Sequence, residues 1–129
     1  MHRIVRGTLA AAAALAFAGA SPWSSSPAFA HHGWSDYETD HPLTLKGRIT
    51  ASRYENPHAT ITLDAGGKTY EVVLAPVSRM EARGAAREAV AVGQDVTVVA
   101  YASRTHAGEV RAERILFADG AATRTVELR

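Results

Sequence analysis

The chain has 129 residues, 47% of them hydrophobic and 21% charged, with no cysteine and a formal net charge of +1. That length limits it to one small domain, and the absence of cysteine excludes a disulfide framework. A near-neutral balance offers no electrostatic footprint for nucleic acid or an anionic membrane, so neither is an expected partner.

The first thirty residues have the pattern of an export signal. Arg3 and Arg6 supply a positive start, Thr8 to Ala20 form an Ala-rich apolar stretch, and Ala28-Phe29-Ala30 closes a Ser/Pro-rich run as a small-x-small peptidase site. The apolar stretch is shorter than the roughly 20 residues that span a bilayer. The expectation is a Sec-type bacterial signal peptide over 1–30, and a periplasmic or secreted product. Ala18-Gly19-Ala20 is a competing site, and cleavage there would leave Ser21 first. Cleavage after Ala30 leaves 99 residues and removes Arg3 and Arg6, so twelve basic residues face thirteen acidic ones. A domain of this size buries only about 60 to 68 per cent of its unfolded surface.

A polar arm over 31–42 precedes a domain over 43–129. From Leu43 the residues alternate, with Leu43, Leu45, Gly47, Ile49 and Ala51 on one side, which predicts a half-buried strand. Asn56-Pro57 interrupts the chain, and a second strand is expected over His58–Asp64 with Ala59, Ile61 and Leu63 inward. Ala65-Gly66-Gly67 turns into a hairpin partner over Lys68–Leu74, with Tyr70, Val72 and Leu74 inward. Residues 76–92 are mostly good helix formers divided by Gly84, predicting two short helical pieces or one helix and a turn. Strands follow over Gln94–Tyr101, with Val96, Val98 and Ala100 inward, then over Glu109–Phe117, and a last edge strand over Thr123–Leu128.

Three strands, a helix and two or three further strands is the order of an OB-like barrel. The expected fold is therefore mainly β: a small five- to six-stranded antiparallel OB-like barrel with a short helical insert between strands three and four. Closure removes sheet edges that so small a chain cannot otherwise cover. An open sheet with the helix across one face is the rival.

The chemistry concentrates at the start of the mature chain. If cleavage follows Ala30, His31 carries the new α-amine, whose pKa of about 7.7 to 8.0 lets a metal displace its proton near neutral pH. Amine and imidazole then chelate from one residue, and His32 adds a second imidazole. Copper(II) stands highest in the divalent affinity order and suits nitrogen ligands, so a copper ion is the expected cofactor. His58, on the polar parity after Pro57, is the candidate third ligand. The plain alternative for all three is solvated or locally hydrogen-bonded histidine. Zinc stays open as the metal, though no spaced Cys/His set supports a structural zinc site.

His41 and His106 fall in loops. Asp36, Glu38 and Asp40 suggest a solvated acidic loop, or a carboxylate supporting a ligating histidine. Trp34 and Tyr37 would dock the arm hydrophobically on the barrel, while Asp64, Glu71 and Arg111 alternate with apolar residues as strand surface. No nucleophile motif, phosphate loop or supported carboxylate pair is found, so catalysis is not indicated.

Several segments resemble the domain of unknown function 6152 family: His31-His32-Gly33-Trp34 after the leader, Leu43 to Ile49, Asn56-Pro57-His58, Gly93 to Val98, and Leu116 to Gly120. The resemblance covers nearly all of the mature chain and implies a small exported β-domain with histidines at recurrent places. One departure is Ala85 after Gly84, where the family pattern leads one to expect an aromatic. In chemistry alone, His31 with His58 is similar to the N-terminal histidine brace of copper proteins, some of them oxidative enzymes and others periplasmic carriers. Six aromatics make a poor platform for a polymer, which favours the carrier. The competing expectation is a metal-free OB-like module that binds a periplasmic protein or a saccharide.

Overall fold

The computed structural model describes residues 33–129. The expected leader, both cut positions, His31 and His32 lie outside the described residues. No helix among the described residues is long and apolar enough to cross a membrane.

Six strands make one sheet: β1 (Leu43–Arg53), β2 (Thr60–Ala65), β3 (Lys68–Val73), β4 (Asp95–Ala102), β5 (Glu109–Asp119) and β6 (Ala122–Glu127). Their order is β3-β2-β1-β4-β5-β6, and a further β3–β5 pairing closes the first five into a barrel. That closing pair is parallel, the one departure from the antiparallel arrangement expected. It also rules out the open sheet. Between β3 and β4 lie α1 (Val77–Ala82) and a 3-10 turn at Arg87–Val90, separated by Gly84 at φ 82°.

The alternation seen in the sequence produces the core. Ile49, Ile61, Leu63, Val72, Leu74, Val98 and Ile115 are at most 1% exposed, and Met80 of α1 joins them at 0%. The β2–β3 hairpin turns on Gly66 and Gly67, both at positive φ, as a two-residue turn requires. β1 pairs with β4 along Leu43–Arg48 and with β2 along Arg48–Arg53, so it bends where it changes partner. Gly47 sits at that bend because any Cβ there would run into the Asp64 carbonyl.

Two bulges break the simple period. Thr50 is skipped in the β1–β2 register, which turns Ala51 outward and leaves it exposed, contrary to its expected inward place. Glu113 is skipped between β4 and β5, so the inward set changes from Val110 and Ala112 to Ile115 and Phe117. Along its other edge, β5 pairs first with β3 through Glu109–Arg111 and then with β6 through Arg114–Asp119.

β6 pairs only with β5, and the helical insert tends its end. Arg83 donates to the carbonyls of Glu127 at 2.7 Å and Arg129 at 3.0 Å, and Arg79 donates to that of Leu128 at 3.2 Å. Charged side chains at a sheet edge of this kind discourage pairing with another chain.

Candidate functional site: the docked arm

The segment before β1 is tied to the barrel by its backbone. Gly33–Asp36 form a 3-10 turn, and Tyr37 bridges to Ser103 just past β4. Glu38 N–H donates to the Ala102 carbonyl and Arg104 N–H to that of Asp36, each at 2.9 Å. The acidic residues expected to be solvated divide: Asp40 is exposed, while Glu38 pairs with Arg104 at 3.2 Å.

The side chains of the arm cover a face of β5. Trp34 stands edge-on to Tyr101, with ring centroids 6.0 Å apart, and tilted to Tyr37 at 6.4 Å. Two guanidinium groups lie over its indole, Arg111 at 4.3 Å and Arg129 at 4.7 Å, and Arg111 is also 5.8 Å from the Tyr37 ring. The docking expected of Trp34 and Tyr37 therefore occurs, but through cation–π contacts as well as apolar ones.

Arg111 corrects the reading of it as strand surface. Asp64 and Glu71 are exposed, yet Arg111 is only 9% exposed. The cause is the arm, which roofs an outward position with two aromatic rings. Burial, and then the nearby charges of Arg79 and Arg129, pull its pKa below the ordinary guanidinium value.

The glutamates on either side of Arg111 along β5 are bonded elsewhere. Tyr37 Oη donates to Glu109 Oε1 at 2.7 Å, and Tyr101 Oη donates to Glu113 Oε2 at 2.6 Å. Both phenols are held above their usual pKa, Tyr37 chiefly by burial and then by the Glu109 bond, Tyr101 chiefly by its bond to Glu113. Among the described residues no ion pair joins Arg111 to an acid, and its Nε has no hydrogen-bond partner. A signal was present in the sequence: Glu109, Arg111 and Glu113 share one strand parity, and Trp34-x-x-Tyr37 has little else in a polar arm to pack on.

Of the expected metal ligands, only His58 is described. It is half-buried, follows the cis Asn56–Pro57 peptide, and precedes β2 by two residues rather than opening it. Ala59 carries the ladder back toward it, since Ala59 N–H donates to the Ala75 carbonyl at 2.8 Å. Along the ladder, Arg111 faces Val73 of β3, and Val73 faces Thr60 of β2, two residues after His58. His41 and His106 are exposed loop residues, with His106 Nδ1 2.9 Å from Thr105 Oγ1. Among the described residues no three His, Asp or Glu side chains gather as a metal group. The expected set needs His31 and His32.

A separate groove of about 310 Å³ lies outside the barrel between β1, β2 and β3, lined by Ser52, Arg53, Thr60, Thr62 and Glu71. Its polar lining begins two residues from His58. Ala85, where an aromatic was expected, is fully buried and its carbonyl accepts the Tyr54 hydroxyl at 2.7 Å.

The model of a family of unknown function, DUF6152, matches residues 20–111, well over half of the chain. The chain belongs to this family. The DUF6152 match takes in the His-His pair, the arm, His58 and the whole barrel closure, ending on Arg111; β6 lies beyond it. No curated protein matches the chain.

Proposed function

We propose that this DUF6152 protein is an exported metal-binding protein, with copper as the favoured ion, held by His31, His32 and His58 once the leader is removed after Ala30. The observation that carries the reading is the anchored arm. Gly33 and Trp34, directly after the histidine pair, belong to a segment fixed to the barrel rather than to a loose tail. From Trp34's contact Arg111 to Thr60 is two ladder steps, about 10 Å at ordinary strand spacing. Three residues of chain from Trp34 back to His31 reach about 10 Å. His58 lies two residues before Thr60, up to about 7 Å further along the chain, a span that the imidazole side chains at both ends would have to close.

Sequencing the first residue of the exported protein by mass spectrometry, followed by copper titration, tests this. The expected result is a chain starting at His31 with one tight copper site that His31→Ala and His58→Ala each weaken severely. A chain starting at Ser21, or weak binding indifferent to both substitutions, overturns it.

The β1–β2–β3 groove favours the second reading, a metal-free module, since this face of OB barrels commonly takes oligosaccharides. Fold analogy alone is a weak warrant for function. Capture of a saccharide or periplasmic protein that persists in chelator and fails in Thr62→Trp would favour the module over the metal carrier.

A further inference from the structure

We propose that Arg111 anchors an oxyanion-binding site at the foot of the arm, one that takes a small carboxylate or phosphate. A guanidinium this buried normally has a carboxylate partner, because taking the charge out of water costs several kcal/mol unless it is paired. Cation–π contact with Trp34 and Tyr37 offsets part of that cost but supplies no negative charge.

Among the described residues, no acid supplies the missing anion. All thirteen Asp and Glu residues fall within 33–129, since residues 1–32 contain none. None of the thirteen forms an ion pair with Arg111. The two best placed, Glu109 and Glu113, accept tyrosine hydroxyls instead, which holds them to their own positions. The terminal residue's carbonyl accepts from Arg83.

Further cations stand close to Arg111, beside the two glutamates already held by tyrosine hydroxyls. Arg129 shares the Trp34 ring with Arg111, is half exposed, and has only a 3.9 Å contact with Glu113, so it can turn toward a ligand. Arg79 adds a third cation close enough to be felt at Arg111. A guanidinium fork presents paired donors that match the two oxygens of a carboxylate or phosphate. The aromatic rings fix the fork's plane in advance, so little side-chain entropy remains to be lost on binding. This site requires neither cleavage after Ala30 nor a metal.

The test is an anion titration of the purified protein in chelator at constant ionic strength, followed through the NMR signal of the Arg111 Nε–H. Sodium phosphate and sodium acetate are the probes, and sodium chloride is the control. The expected result is a saturable one-to-one shift with phosphate or acetate, at concentrations at least about tenfold below any chloride effect. Whichever probe binds more tightly names the source, phosphate or carboxylate. Arg129→Gln should weaken binding about threefold or more, and Arg111→Lys about tenfold or more. If Arg111→Lys fails to fold, Arg129→Gln, at a half-exposed position, decides alone. Equal shifts with all three salts, or affinity unchanged by Arg129→Gln, would overturn the site and leave Arg111 as a latch for Trp34.

Discussion

The barrel interior and the arm are both buried, but by different physics. Inside the barrel, mostly aliphatic side chains from the strands, with Met80 and Phe117, fill the space, and the Tyr54 hydroxyl at its margin is bonded to the Ala85 carbonyl. Under the arm, two tyrosine–glutamate bonds, two arginines and one indole make the contact. The first kind of burial stabilises mainly through area removed from water. The second depends on charge states and ring geometry, so the arm is expected to open before what lies beneath it.

The comparison breaks hardest in the interior. Leu63→Ala should cost about 2 to 5 kcal/mol in chemical denaturation, because Leu63 is wholly enclosed and its cavity cannot be filled by loops. Trp34→Ala should cost less, about 1 to 3 kcal/mol, although the group removed is larger. Trp34 is half-exposed, and its loss lets water reach Arg111, which returns part of the desolvation cost. Hydrogen exchange should then quicken at the amides of Tyr37 and Glu38 while the β2 and β4 amides keep their protection. Global loss of protection would show that arm and barrel are one cooperative unit.

Alkaline pH sharpens the same contrast. Tyr37 and Tyr101 have folded pKa values raised above the unfolded value, so the folded state holds their protons more tightly. Their contribution is fully present below about pH 10 and is lost as pH rises through the folded values. A stability curve should therefore fall above pH 10, and Tyr37→Phe together with Tyr101→Phe should flatten that fall. An unchanged slope in the double variant would place the loss elsewhere.

Smaller effects are expected at the edges. Arg83→Ala should cost less than about 1 kcal/mol but raise self-association in sedimentation, since it uncovers carbonyls at the end of β6. Arg48→Gln should leave the denaturation midpoint where it was. Its partner Asp95 has a carboxyl held below the usual range by the Arg48 hydrogen bond and charge, but the pair is fully solvated.

Much of the barrel could be read in advance. Ala59-Ile61-Leu63 and Val96-Val98-Ala100 state their inward faces by simple alternation, and Gly66-Gly67 states the hairpin. Ala51 and Arg111 could not be read that way. The first depends on a bulge at Thr50, which alternation does not encode. The second depends on a distant segment folding over an outward position, a tertiary event that local pattern treats as surface. Of the described histidines, His58 precedes β2, and His41 and His106 lie in loops as read.

The bulge at Glu113 sits where one edge of β5 passes from β3 to β6. A strand with a strict two-residue period would carry Val110 and Ala112 into the barrel and then Arg114 and Leu116 after them. One extra residue shifts the phase by half a period, so Ile115 and Phe117 enter instead and Arg114 reaches out to Glu127. The bulged glutamate is also the one that holds Tyr101 beneath the arm. A single inserted residue thus sets the inward face of half a strand and one footing of the candidate site together. Length changes at this point are therefore constrained twice, while the exposed turn at 120–121 answers to neither constraint.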